Sequence, residues 1–214
     1  MSSTTSDTAG WFTEAYRDSI SAKIMKRKYT ITIITASLAF ILDQWTKWLI
    51  SSRMALNETI EVIPDFFSLH YLTNPGAAFG LFRFMDTRYR SVFFLVVSAL
   101  AIGMVVYYLL KSDDRKVFFP LSLAMVLGGA MGNLTDRLRL GEVTDFLLFE
   151  ATFLGERTVG LLDKYLGSHY WPSFNISDTA VVVGIFGMAI DLLFFTGEDE
   201  KAGSALKSET APEN

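Results

Sequence analysis

Residues 132–147 concentrate ionisable side chains directly after a long apolar segment. The stretch reads GNLTDRLRLGEVTDFL. Residues 117–135, which lead into it, carry no charged side chain. The polar residues of the stretch include Asn133, Asp136, Arg137, Glu142 and Asp145. Further polar residues in or beside the other apolar segments are Asp43, Lys47, Asn74, Asn175 and Asp178. Ionisable groups near a membrane are costly and usually mark a functional site or an internal ion pair. We therefore expect these residues to gather into one site.

The residue types present limit the chemistry of such a site. There is no cysteine, which excludes a thiol nucleophile, a disulfide and a lipid-bearing cysteine. The two histidines, His70 and His169, stand outside the polar motifs, so a Ser-His-Asp triad or a zinc site finds no support. Carboxylates remain, working as acid and base or, as a minor alternative, holding magnesium. Lys47 as a base is disfavoured because Asp43 would keep it charged.

Each polar residue also has a purely structural interpretation. Asp43 and Lys47 are four residues apart, on one helical face, and could simply neutralise each other. Asp136 could mark an ordinary helix end, and Asp178 could be an N-cap before the apolar run that follows it. The small residues GGAMG, which include Gly129, are typical of close helix packing. Only the joint placement of these residues favours function.

The elements that would position them are membrane-spanning helices. Half of the 214 residues are hydrophobic, and they are concentrated in blocks rather than dispersed. Four blocks are long enough to cross a hydrocarbon core of about 30 Å. They are residues 29–50, 91–110, 117–135 and 179–197. The sequence predicts an all-α polytopic membrane protein with four transmembrane helices, and no cleavage site for a signal peptide follows the first block.

Basic residues before the first block place the N-terminus in the cytoplasm. With four spans both termini are cytoplasmic, and two long segments, residues 51–90 and 137–178, face outward. Residues 1–28 form an N-terminal segment with an interfacial helix, residues 29–196 the membrane domain, and residues 197–214 a disordered tail. The composition of 60–72 predicts short strands, and Trp45, Trp48 and Trp171 suit an interfacial aromatic belt.

Five short motifs occur in order along these segments. They are DQWTK (43–47), NPGAAFG (74–80), GGAMGNLTDR (128–137), EVTDF (142–146) and FNISD (174–178). In this order the chain resembles bacterial prolipoprotein signal peptidase, also called signal peptidase II, over about residues 30–195. The resemblance implies a membrane-embedded aspartyl endopeptidase of the bacterial inner membrane. Such an enzyme removes the signal peptide of a prolipoprotein just before a diacylglyceryl-modified cysteine, and needs no cofactor or metal.

The resemblance also implies roles for individual residues. The catalytic pair falls on Asp145 and Asp178. Supporting or substrate-contacting positions fall on Asp43, Lys47, Asn74, Gly76, Ala77, Phe79, Gly129, Asn133, Asp136, Arg137 and Asn175. It further implies an outer β-rich cradle and a short outer helix that closes over the site. The partners would be the prolipoprotein and membrane lipid, with no nucleic acid, and one chain would hold a complete site as a monomer.

Two neighbouring aspartates can hydrolyse a peptide because they share one proton, one activating water and the other protonating the carbonyl oxygen. The helix start at Asp178 favours its charged form, so we expect Asp178 to be the base and Asp145 the acid.

The chain departs from the family at Ser177, where alanine is more common, and in the long gap between the two aspartates. Residues 149–171 have no assigned counterpart. The competing class is a proton- or ion-coupled transporter, in which buried acids are also expected.

Overall fold

The computed structural model describes residues 7–76, 86–112 and 116–194, which form five helices, three strands and one 3₁₀ turn. In chain order these are α1 (Asp7–Arg53), β1 (Thr59–Ile63), β2 (Phe67–Asn74), α2 (Thr87–Lys111), α3 (Phe118–Leu140), β3 (Val143–Phe149), the 3₁₀ turn (Thr152–Leu154), α4 (Glu156–Leu166) and α5 (Ile176–Phe194). Two predicted site residues, Ala77 and Phe79, and the predicted tail 197–214 lie outside the described residues.

Three of the described helices are long and apolar enough to cross a membrane. These segments are Tyr89–Lys111, Phe118–Leu140 and Ile176–Phe194. The first predicted span is not among them, because polar residues such as Asp43 and Gln44 interrupt its apolar run. That segment belongs to α1, which continues without a break through residue 28, the predicted end of the N-terminal segment.

Helix α3 is the centre of the bundle and packs against α1, α2 and α5. Small residues allow the backbones to approach closely, as the GGAMG motif indicates. A Cβ on Gly128 would lie 2.6 Å from the carbonyl oxygen of Ala36 in α1, and one on Gly129 would collide with the carbonyl oxygen of Ser177 in α5. On the side of α2, Val105 and Leu109 pack with Leu123 in a buried apolar cluster.

The three strands form an antiparallel sheet in the order β1-β2-β3. Leu72 of β2 pairs with Asp145 of β3, and Asn74, the last residue of β2, pairs with Val143. A buried cluster of Ile50, Met54 and Phe146 joins the end of α1 to β3. The sheet is therefore fixed to the bundle at the point where β3 carries Asp145.

Residues 150–174 extend the sheet and return to the bundle. Isolated bridges pair Leu147 with Phe174 and Glu150 with Tyr170, so the returning segment lies along β3. Between Glu150 and Tyr170, the stretch without an assigned counterpart folds into the 3₁₀ turn and the 11-residue helix α4. The returning segment then leads directly into α5, which begins at Ile176.

Candidate active site

Asp145 is buried near the start of β3 and both of its carboxylate oxygens accept hydrogen bonds from amides. The side-chain nitrogen of Asn74 donates to Oδ2 at 2.8 Å, and that of Asn175 donates to Oδ1 at 2.8 Å. The side chain of Asn74 is itself oriented, because its Oδ1 accepts the backbone N–H of Gly76 at 2.9 Å. The carboxyl group of Asp145 is therefore held in one orientation from two sides.

Asp178 lies in the first turn of α5, three residues after Asn175, and the two residues cap the helix reciprocally. Oδ1 of Asn175 accepts the backbone N–H of Asp178 at 2.9 Å, and Oδ2 of Asp178 accepts the backbone N–H of Asn175 at 3.2 Å. This is the geometry of a capping box. The N-cap is thus Asn175 and not Asp178, whose Oδ1 accepts a further bond from Asn133 of α3 at 2.7 Å.

Beneath the two carboxylates lies a buried ammonium group. Nζ of Lys47 lies 2.9 Å from Oδ2 of Asp43 and 3.0 Å from Oδ2 of Asp136. It also donates to Oδ1 of Asn133 at 3.0 Å, and that same oxygen accepts a bond from Asn175 at 3.1 Å. Buried charges are tolerated when they are paired and fully hydrogen-bonded. Lys47 meets this condition and links the ion pairs to the amides that hold the candidate dyad.

The two acids paired with Lys47 each hold the backbone next to a candidate catalytic residue. Oδ2 of Asp136 accepts the N–H of Thr144 at 3.0 Å, and Oδ1 of Asp43 accepts the N–H of Ser177 at 2.9 Å. Thr144 directly precedes Asp145, and Ser177 directly precedes Asp178. Lys47 therefore connects the strand that carries one carboxyl group with the helix that carries the other.

The environment of Asp145 favours its protonated form near neutral pH. Burial raises the pKa of Asp145 to about 7, and the nearby Asp178 carboxylate adds to this rise, while the hydrogen bonds from Asn74 and Asn175 lower the pKa. A carboxylic acid that keeps its proton near neutral pH can donate it to a substrate oxygen. The arrangement is suited to acid–base chemistry by two coupled carboxyl groups.

The structure places the remaining predicted residues around this network rather than in it. Gly76 has a φ of 90°, and a Cβ there would collide with the ring of Phe94, so it serves a turn packed against α2. Gly129 lies at the contact of α3 with α5. The guanidinium of Arg137 lies 5.3 Å from the centroid of the Phe94 ring and donates to the carbonyl oxygen of Asn133 at 3.3 Å.

Two residues of the network were not singled out from the sequence. Gln44 donates from Nε2 to Asp43 and to Asp136, at 3.1 Å in each case. The carbonyl oxygen of Thr144 accepts a bond from Asn175 at 3.2 Å. Gln44 stands inside the DQWTK motif, so its position was a usable signal. Thr144 contributes its backbone carbonyl oxygen, which every residue type has, so its residue type could not predict this bond.

Two clefts reach Asp178 from the apolar part of the bundle. One, of about 270 Å³, lies between α2, α3 and α5, and its polar lining includes Asn133 and Arg137. The other, of about 310 Å³, lies between Trp171 and the outer surface of α5. Both clefts are lined mainly by apolar side chains, and they share Asp178 and Val182. An apolar ligand can therefore approach this carboxyl group from either side.

The family model described as "Signal peptidase (SPase) II" matches residues 35–194. The lipoprotein signal peptidase of Syntrophus aciditrophicus is 40% identical over 169 residues, covering 79% of this chain and 96% of that protein. That of Symbiobacterium thermophilum is 42% identical over 155 residues, covering 72% of this chain and 89% of that protein. A solved bacterial membrane enzyme, determined by the in meso method at 1.9 Å, superposes with a TM-score of 0.61 at 28% identity, covering 77% of this chain and 94% of that one.

Proposed function

This chain belongs to the signal peptidase II family, and we propose that it cleaves the signal peptide from diacylglyceryl-modified prolipoproteins with Asp145 and Asp178 as an aspartyl dyad. Relatives between 35% and 42% identical carry the name lipoprotein signal peptidase. Its activity is therefore proteolysis of prolipoproteins. The aspartic mechanism, the residue roles and the lipid requirement are the parts of the proposal that need direct tests.

One observation carries the mechanism: Asn175 contacts both acids. Its side-chain nitrogen donates to Asp145, and its side-chain oxygen and backbone N–H bond Asp178. The two aspartates are 33 residues apart in the chain and lie on different elements, yet a single buried side chain contacts both. Capping of α5 by Asn175 and Asp178 would not by itself explain why Asn175 also contacts Asp145.

The proposed reaction is general acid–base hydrolysis. Ionised Asp178 accepts a proton from water as the water oxygen bonds to the scissile carbonyl carbon, while Asp145 donates its proton to the carbonyl oxygen. The tetrahedral intermediate then collapses: Asp145 recovers its proton, the C–N bond breaks, and Asp178 transfers its proton to the departing amine. The dyad returns to its starting state, and one water molecule has been consumed.

The substrate reaches the dyad through the apolar clefts. We assign the cleft between α2, α3 and α5 to the residues of the signal peptide that precede the cleaved bond, since it combines apolar walls with Arg137 and Asn133 at its polar end. The slot between Trp171 and α5 receives the upper part of the diacylglyceryl group. Exposed apolar side chains of α5, such as Val183 and Phe186, would extend that surface into lipid.

We further propose that α1 provides the fourth membrane span. Between residues 28 and 50 most of its exposed side chains are apolar, including Ile33, Leu38 and Trp45, and its charged pair Asp43–Lys47 is turned into the protein. Charges that are buried and paired do not prevent a helix from spanning a bilayer. The 23 residues rise about 35 Å at 1.5 Å each, which suffices for the hydrocarbon core.

Charge at the far end of the bundle sets the proposed orientation in the inner membrane. Nζ of Lys28 donates to the carbonyl oxygen of Ser112 at 2.8 Å, and Lys116 lies 3.6 Å from Asp191. These residues lie at the end of the helices away from the dyad. An excess of basic residues favours the cytoplasm. Both termini would then be cytoplasmic and the dyad near the outer face, with the sheet as the outer cradle and α4 as the short outer helix.

The transporter alternative has no support. Residues 180–190 of α5 are apolar or glycine, so no polar path within that helix connects Asp178 with Asp191. A proton or ion pathway needs polar groups or water across the membrane. All of the acids and amides of the network belong to one chain, so we expect a monomer to be active.

The lipid requirement is tested by incubating the purified protein with one prolipoprotein in two forms, with and without the diacylglyceryl group. Mass spectrometry of the products identifies the cleaved bond. We expect cleavage just before the modified cysteine and little cleavage of the unmodified form. Equal cleavage of both forms would contradict the proposed lipid-binding slot. A failure to cleave either form would contradict the proposed function.

A further inference from the structure

A further cavity lies outside the two clefts that the proposed mechanism uses. It is an open groove of about 750 Å³ on the sheet, between the strands and the segment that returns from α4. Its walls combine polar side chains of the strands, such as Ser68 and His70, with the rings of Tyr170 and Trp171. A groove of this composition can hold an extended polypeptide by backbone and side-chain contacts.

The groove is continuous with the site. Leu72 lines the groove and is the residue that pairs with Asp145 across the β2–β3 ladder. Trp171 lines both the groove and the slot that contains Asp178. One end of the groove is therefore formed by Leu72, the ladder neighbour of Asp145, and by Trp171, which also lines the slot of Asp178.

The wall of the groove is built by the segment that has no counterpart assigned from the sequence. After α4 the chain turns at Gly167, which has a φ of 81°, and Nδ1 of His169 lies 2.9 Å from Oδ1 of Asp163 in α4. Backbone bonds then tie the segment to β3, from Ala151 N to His169 O at 3.1 Å and from Trp171 N to Phe149 O at 2.8 Å. The residues that lengthen the segment between the two aspartates thus form one wall of the groove.

Glu150 is the only aspartate, glutamate, lysine or arginine among the residues that line the groove. Its Oε2 accepts the hydroxyl of Thr152 at 2.9 Å, which orients the carboxylate. Glu150 directly follows β3 and comes five residues after Asp145, or about 17 Å at a rise of about 3.3 Å per extended residue. An extended substrate chain that leaves the dyad through this groove covers that distance with about five residues.

We propose that this groove receives the first residues of the mature polypeptide, on the carboxyl side of the cleaved bond, and that Glu150 makes cleavage sensitive to charge near the fifth of them. A basic residue there binds favourably to the Glu150 carboxylate, and an acidic residue is repelled. The inference rests on the proposed function, because it names the part of the same substrate that continues beyond the dyad.

The test uses diacylglyceryl-modified prolipoproteins that differ by one residue, lysine or glutamate, at positions three to seven and at position twelve after the cleaved bond. We expect kcat/KM of the wild type to favour lysine roughly two- to five-fold around position five, the range of a solvent-exposed ion pair, mainly through KM. Position twelve should show no preference. Glu150→Gln should abolish the preference, and Glu150→Lys should reverse it.

The matched control is Glu156→Lys, an equal change of charge at an exposed position of α4 that does not line the groove. It should keep the preference of the wild type. Cleavage of all substrates without a charge preference, or a preference that persists in Glu150→Lys, would contradict the assignment of the groove to the mature polypeptide. Neither result would contradict the proposed function. If the wild type cleaves none of the substrates, the proposed function fails, and the assignment of the groove fails with it.

Discussion

The side-chain nitrogen of Asn175 lies 2.8 Å from Oδ1 of Asp145, while the side-chain oxygen of the same residue caps the helix that begins at Ile176. One amide thus fixes the orientation of a carboxyl group on β3 and the start of the helix that presents Asp178. A change at this position acts on catalysis and on folding together, and variants can separate the two effects.

Asn175→Ala should lower turnover on the order of 10²-fold, since misplacement of reacting groups by about 1 Å has that effect. It should also lower the free energy of unfolding by about 1–3 kcal/mol, because it removes a helix cap and leaves buried donors and acceptors unpaired. Steady-state kinetics and denaturation in detergent measure the two effects.

The control for this change is Ser177→Ala, also at the start of α5. The hydroxyl of Ser177 is buried and has no hydrogen-bond partner among the described residues. Its removal should leave both turnover and stability nearly unchanged. Equal losses in the two variants would show that Asn175 has no special role.

Turnover should fall as the pH rises above neutrality. Because burial and Asp178 raise the pKa of Asp145 to about 7, the acid form is present below that pH and is lost above it. The expected profile of kcat/KM decreases about tenfold per pH unit well above pH 7. Rates measured between pH 4 and 9, with unfolding followed in parallel, test this, and a flat profile would argue against Asp145 as the acid.

Lys47→Met should destabilise the protein by about 3–5 kcal/mol, because it leaves the buried carboxylates of Asp43 and Asp136 without their cation. The double variant Lys47→Met with Asp43→Asn should recover part of this loss, since one unpaired charge is removed. Lys164→Met, on the exposed side of α4, is the control and should change the midpoint of unfolding little. Similar midpoints for Lys47→Met and Lys164→Met would contradict the network.

Gly132→Ala should reduce both stability and activity. A Cβ at this position would collide with the hydroxyl of Ser177 and lie 2.5 Å from Oδ2 of Asp43, so it displaces the start of α5. The matched change, Gly103→Ala in α2, meets no atom within 4 Å and should be tolerated. Thermal unfolding and turnover of the two variants provide the comparison, and equal behaviour would rule out close packing at Gly132.

The sequence predicted the members of the site better than their contacts. The spacing of Asp43 and Lys47 predicted an ion pair on one helical face, and the two side chains lie 2.9 Å apart. The second acid, Asp136, comes from another helix, and spacing within a helix contains no information about such a partner. The close approach of α3 to its neighbours at the GGAMG motif was also readable, because only small side chains permit it.

Two elements escaped prediction for physical reasons. The first four residues of β3 are all buried, so the strand lacks the alternation of polar and apolar residues that identifies a half-exposed strand. Gly76 has a positive φ, and a Cβ there would collide with the ring of Phe94, so the structure gives it a role in a turn, while its contact with the substrate stays a prediction. Which atoms face a glycine depends on tertiary packing, and the sequence around it does not contain that information.

The most direct test of the account compares Asp145→Asn and Asp178→Asn with the wild type on a diacylglyceryl-modified prolipoprotein, after unfolding measurements show that both variants are folded. Each change removes one proton-transferring group and preserves the shape of the side chain. We expect the wild type to release the signal peptide and each variant to lose at least about 10³-fold in turnover. Near-normal turnover by either folded variant would contradict the aspartyl dyad.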